Sequence, residues 1–205
     1  SSLKMSNKKQ DVLWVYQQMD LDRFFRRLSD AEKEYFIEKA IRFSLETADQ
    51  FAERFGRDYS YDSLRQAAER LGCRVQILSG HSPCPFLSDF DPGKRRITLY
   101  EQNIKTFYDR VKEDYPSCFL KYDLREMCML HEMCHVLEFD RFGDIGKLAG
   151  SGEKRRFLRG FREYRRLSEI AAHLFVQRLI DLPVSPALFG VAPEAPAPKI
   201  EPRKK

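Results

Sequence analysis

Apolar residues recur at helical spacing through most of the chain, and alternate only in two short stretches. Residues 11–28, "DVLWVYQQMDLDRFFRRL", carry the helical pattern, and Ser29 followed by Glu32 reads as a capping box that opens the next helix. That second helix is expected over about 31–55. Its apolar face includes Tyr35, Phe36, Ala40, Ile41, Phe43, Ala48, Phe51, Ala52 and Phe55, and Gly56 ends it. A short helix, "DSLRQAAERLG", closes at Gly72 and leads into "CRVQIL", a strand. Residues 80–95 are turn-rich and read as a long loop before a second strand, "RRITLYE". "NIKTFYDRVKEDY" predicts a helix that Pro116 breaks.

Two more helices complete the pattern. One is expected over about 122–141, with Gly143 just beyond its end. The other is a long helix over about 153–181 that stops before Pro183. "GDIGKLAGSG" joins them as a flexible connection. The prediction is an α+β fold, mostly helical with a small sheet and with no internal repeat. A single domain is expected over 11–184, its residues 11–56 forming a helical N-terminal extension. Residues 1–10 read as a disordered arm and the Pro-rich residues 185–205 as a disordered tail.

Composition narrows the function classes. The net charge of +5 is too small to argue for nucleic-acid binding. No run of 18 uncharged apolar residues occurs, so no membrane span is expected. Five cysteines without framework spacing suit free thiols in a reducing cytoplasm. Arg155, Arg159, Arg162 and Arg166 form a basic stripe at helical spacing. It reads either as a solvated face or as a docking surface for an acidic or DNA-bound partner.

The chemistry concentrates in "MLHEMCHVLEFD", residues 129–140. His131 and His135 are four apart, so a helix stacks their imidazoles on one face, with Glu132 one residue round. H-E-x-x-H is a zinc-hydrolase signature of two metal ligands and a general base. The plain alternative is a structural helix with core histidines. A catalytic zinc usually takes a third protein ligand and keeps one open position. Asp140, Asp144, Glu153, Glu163, Glu169 and His173 are the downstream candidates. Asp140 and Asp144 fall at or past the helix end, and Glu153 and Glu163 sit in a strongly charged segment. Glu169 begins the apolar run "EIAAHLFVQRLI", where a buried carboxylate needs a partner: a metal, or else an arginine. His173 reads as a core residue or a support to the ligands. Cys134, inside the motif, reads as a small buried residue. His81 and Cys84 read as loop rather than half of a metal site.

These pieces together resemble a known family. "DSLRQAAERLGCRVQIL", "RRITLYE", "LREMCMLHEMCHVLEFD" and "EIAAHLFVQRLIDLP" are similar in order and pattern to the ImmA/IrrE family of bacterial metallopeptidases, over about residues 45–184. Glu169, Ala172, Phe175 and Leu179 match that family's downstream segment. His173 replaces its usual Asn, and Pro183 falls one place late. The resemblance implies a zincin-like fold and a Zn²⁺ held by His131, His135 and Glu169, with Glu132 as the base. It also implies a protein substrate, such as a helix-turn-helix DNA-binding repressor. Some members carry their own N-terminal helix-turn-helix, but residues 11–56 lack the small-residue turn it needs.

The function expected is that of a zinc metalloendopeptidase. The alternatives are a non-enzymatic metal-binding module that acts by binding a partner, and a zinc hydrolase acting on something other than a peptide. Tyr164, His173 or an arginine of 155–166 are candidates to stabilise the oxyanion. The strand "RRITLYE" offers a possible edge for a substrate peptide, although ordinary sheet pairing is the simpler reading.

Overall fold

A computed structural model of the chain describes residues 23, 25–142, 165–183 and 186. Among the described residues, five helices pack around one three-stranded sheet. They are α1 (Asp30–Phe55), α2 (Tyr61–Arg70), α3 (Glu101–Val111), α4 (Leu124–Phe142) and α5 (Arg165–Ile180). The strands are β1 (Arg74–Leu78), β2 (Ser88–Asp91) and β3 (Arg96–Tyr100). The fold is therefore α+β. No helix among the described residues is long and apolar enough to cross a membrane.

α1 begins as its sequence dictates. Ser29 accepts from the Glu32 backbone N–H, and the Glu32 carboxylate reaches back to the Ser29 N–H at 3.0 Å. Its buried face, which includes Phe36, Ala40, Phe43, Ala48 and Phe51, lies mainly against α5. Phe51 meets Phe175 of α5 edge-on, with ring centroids 5.6 Å apart. Gly56 and Gly72 follow α1 and α2 with φ of 81° and 76°, the left-handed conformation that a Cβ disfavours.

The sheet order is β1-β3-β2. β3 pairs parallel with β1, Val75 opposite Ile97, and antiparallel with β2, Phe90 opposite Ile97. The central strand is the most buried: Ile97 and Leu99 have no exposed surface. This corrects one expectation: the 80–95 segment is not all loop, because it contains β2. "RRITLYE" is paired on both sides, which is the simpler of the two readings of that strand.

A turn over 92–95 joins β2 to β3. Asp91 accepts the Lys94 N–H there at 3.0 Å, and Arg95 takes a φ of 46°. β2 escaped the pattern because "SDFD" has one apolar residue and all four positions are half-buried, so no alternation marks it.

The segment before α1 retains only a 3-10 turn, Phe25–Arg27, within the described residues. Apart from Arg23 and Leu28, the rest of the expected 11–28 helix lies outside them. So do the arm 1–10, most of the tail, the 143–152 connection and the first part of the 153–181 helix. Arg155, Arg159 and Arg162 of the basic stripe are also outside; Arg166 is described and partly buried.

Candidate metal centre

Every residue from 126 to 134 is buried, so the middle of α4 is enclosed by the sheet and the other helices. Polar side chains there are costly unless they find partners. α5 crosses beside α4 and brings Glu169 to the two histidines. His131 Nε2 lies 2.9 Å from Glu169 Oε2, and His135 Nε2 lies 3.1 Å from Glu169 Oε1. The two imidazole Nε2 atoms are 3.2 Å apart. Among the described residues this is the one group of three ligand-type side chains whose donor atoms converge.

The donor set and its spacing suit a cation. Four ligands arranged tetrahedrally at zinc bond lengths of about 2.0–2.1 Å sit roughly 3.3 Å from one another. The three separations here are close to that edge length. Two neutral imidazole nitrogens facing each other can share at most one proton between them, and a cation placed there would serve both lone pairs. The group could hold a metal ion.

Without an ion, charge is balanced by protons. Burial pushes the Glu169 carboxyl up, but the His131 and His135 imidazoles outweigh it and hold the group well below the usual carboxylate range. For His135, burial disfavours the charged ring. The Glu169 charge and the bonds to Glu138 and Glu169 overcome that and raise its pKa well above the ordinary histidine value.

His135 is also held from behind. Its Nδ1 lies 3.3 Å from Glu138 Oε2 and 3.3 Å from Ser168 Oγ. Ser168 in turn donates to Glu138 Oε2 at 2.5 Å. A proton on Nδ1 donated to Glu138 leaves the Nε2 lone pair facing His131 and Glu169. Sequence reasoning missed both supports, although their positions carried a hint: Glu138 is one helical turn after His135, and Ser168 immediately precedes Glu169.

Glu132 lies beside the group without joining it. Its Oε1 accepts from the Ser88 hydroxyl of β2 at 2.9 Å. Burial raises its pKa above the carboxylate norm, against the pull of His131 and His135. Ser88 was invisible beforehand because its role depends on β2, which the sequence did not reveal.

The other candidates fall elsewhere. Asp140 forms a two-pronged ion pair with Arg95, at 2.7 and 3.0 Å. Asp144, Glu153, Glu163 and Tyr164 lie outside the described residues. His173 is 1 % exposed and packs its ring against His131, centroids 4.7 Å apart, with neither ring nitrogen hydrogen-bonded. Burial, then the neighbouring His131, lowers its pKa to about 3, so it is neutral. Cys134 is fully buried, as its small apolar character suggests, and His81 is exposed in the 79–87 segment.

The group opens onto a cavity of about 400 Å³. β2 and the residues before it form one wall, and α3, α4 and α5 contribute the others. His131, Glu132, His135 and Glu169 all border this space, so a molecule in the cavity would meet the ligand group and Glu132 together. Comparison with protein-family models, curated proteins and solved structures returns no match to this chain.

Proposed function

We propose that this chain is a zinc metalloendopeptidase of zincin-like fold that hydrolyses a peptide bond in a protein substrate. One observation carries the reading: a buried carboxylate, Glu132, is held beside a converged His-His-Glu group on the wall of a cavity. A purely structural cluster has no need of the cavity or of a fourth, separately anchored acid.

His131, His135 and Glu169 are the residues that would hold zinc. When bound, the ion supplies a Lewis acid that polarises a carbonyl and lowers the pKa of a bound water towards ~7. Glu132 acts as the general base: its carboxylate takes a proton from the attacking water and passes it to the leaving amine nitrogen. The Ser88 hydroxyl fixes the direction of the carboxylate. Glu138 and Ser168 fix the ring of His135. β2 is an edge strand that lines the cavity, and no described strand pairs with its outer side. An extended peptide can add there as a further strand and lie across the ligand group.

The resemblance to the ImmA/IrrE metallopeptidases points to a DNA-binding repressor as the substrate. Five free cysteines suit a reducing, cytoplasmic setting. The test pairs metal analysis of purified protein with cleavage of a candidate repressor. Wild type is expected to contain zinc and cut, Glu132→Gln to contain zinc without cutting, and His131→Ala to lose the metal. Wild-type function of Glu132→Gln in cells would replace the peptidase reading with that of a metal-binding module that acts by binding.

A further inference from the structure

Among the described residues, each carboxylate lining the cavity has a hydrogen-bond or ion-pair partner, and one arginine has no ion-pair partner. Glu132 has the Ser88 hydroxyl, Glu169 has the two histidines, and Asp89 accepts from the Tyr100 hydroxyl at 3.2 Å. Arg110, near the end of α3, also lines the cavity. No carboxylate among the described residues lies within ion-pair distance of it. Its guanidinium carbon sits 5.2 Å from the centre of the Phe107 ring, which borders the same space.

The wall shared by Arg110 and the ligand group is apolar. Leu124 and Met127 precede His131 by seven and four residues, so they continue its face of α4 towards the helix N-terminus. Val176, one turn beyond His173, joins them from α5. A side chain entering along this wall passes Met127, Leu124 and Phe107, and the cation at the wall is Arg110. The Phe107 ring supports the guanidinium by a cation–π contact, and an arginine fork matches a carboxylate in two parallel hydrogen bonds.

We propose that Arg110 makes the cavity selective for substrates that carry a carboxylate close to the scissile bond. The inference rests on the peptidase reading and adds the chemistry of the substrate to it. The carboxylate can be an aspartate or glutamate side chain, or the C-terminus of the substrate chain, in which case cleavage would fall at the chain end rather than within it.

The test uses the zinc-loaded full-length protein and small zinc-binding probes, so it does not require the natural substrate. Glutaric and adipic monohydroxamates carry a carboxylate at two reaches; the uncharged alkyl hydroxamates of equal length are their controls. Wild type is expected to bind at least one of the acids about tenfold more tightly than its control, the size of a charge-assisted pair at a partly screened site. Added salt should shrink that preference. Arg110→Gln should abolish it and leave the affinity for the uncharged probes unchanged. Because Arg110 is exposed, the substitution is not expected to disturb folding.

Two peptidyl hydroxamates separate the sources. One has a glutamate side chain with an amidated terminus, and the other has alanine with a free terminus. Tighter binding of the first assigns an internal acidic residue, and of the second a chain end. Equal binding of acids and controls by wild type, or a preference that survives Arg110→Gln, overturns the inference and leaves the peptidase reading intact. Failure of even the uncharged hydroxamates to bind overturns the zinc reading, and the inference with it.

Discussion

α1 and α4 are the two longest helices among the described residues, and they bury their surfaces in opposite ways. α1 is two-faced. Its apolar residues meet the core, and its charges stay in water, as in the Glu38–Arg42 pair, whose side chains are 61 % and 53 % exposed. α4 is buried on every side through its middle turns, while Asp140 and Arg141 of its last turn are exposed. Its buried run includes Glu126, His131 and Glu132, ionisable groups that are costly inside a protein. Glu126 leaves one carboxylate oxygen unpartnered, whereas His131 and Glu132 meet polar partners beside the cavity. On the proposed function α1 serves stability and α4 chemistry, and substitutions in the two helices should separate accordingly.

The largest effect is expected in α4. Glu132→Gln keeps the side chain's shape but removes the proton acceptor. Turnover of a cleavable substrate should fall by roughly 10²–10⁴, the usual share of general acid–base catalysis. Thermal unfolding should show no loss of stability, because a buried charge has been replaced by a neutral amide. A destabilised but active variant would erase the distinction between the helices.

Next comes the core of α1. Phe51 is 3 % exposed and packs on Phe55, Tyr59 and Phe175. Phe51→Ala should cost about 3–5 kcal/mol in denaturant unfolding. The fraction that remains folded should still bind one zinc per chain.

Glu138 sharpens the comparison within α4. It touches no proposed reaction site; it holds His135 from behind with Ser168. Glu138→Ala should weaken zinc affinity about 10–100-fold, measured by competition with a chelating dye. An unchanged affinity would make the contact incidental.

The protonation of the metal-free group gives a pH dependence of fixed sign. The raised pKa of His135 means that the zinc-free protein carries a proton there at neutral pH. Zinc must displace it, so apparent affinity should climb with pH, by up to about tenfold per unit for one proton, until the folded pKa of His135 is passed. Calorimetry in buffers of different ionisation enthalpy should report at least one proton released at pH 7.

The smallest effect belongs to the solvated face of α1. Glu38→Ala removes an exposed i,i+4 pair and should shift stability by no more than about 0.5 kcal/mol, with metal binding unchanged.

What the sequence disclosed follows from the range over which each interaction acts. The spacing of His131 and His135 is set by one helix, and their convergence follows from helical geometry alone. The capping box at Ser29 and the bounds of α1 are local in the same way, and both appear where the pattern puts them. Glu169 required a tertiary argument. It was legible because its carboxylate sits where α5 turns from charged to apolar sequence.

β2 was not legible. Its strand state comes from pairing with β3 and from Phe90 packing on Phe139 of α4, not from any alternation of its own. Everything that depends on β2 was hidden with it: the Ser88 anchor of Glu132, the edge beside the cavity, and the central position of β3. The D-P-G turn before the alternating "RRITLY" was the one available sign of a hairpin there.

The central claim is that His131, His135 and Glu169 bind one metal ion between them. X-ray absorption at the zinc edge of the zinc-loaded protein tests it most directly, with Glu169→Ala measured alongside. The account predicts one zinc per chain with two imidazole nitrogens and oxygen in its coordination shell, and loss of one protein oxygen ligand with weakened binding in Glu169→Ala. A shell containing sulfur, or a shell and affinity unchanged by Glu169→Ala, would contradict it.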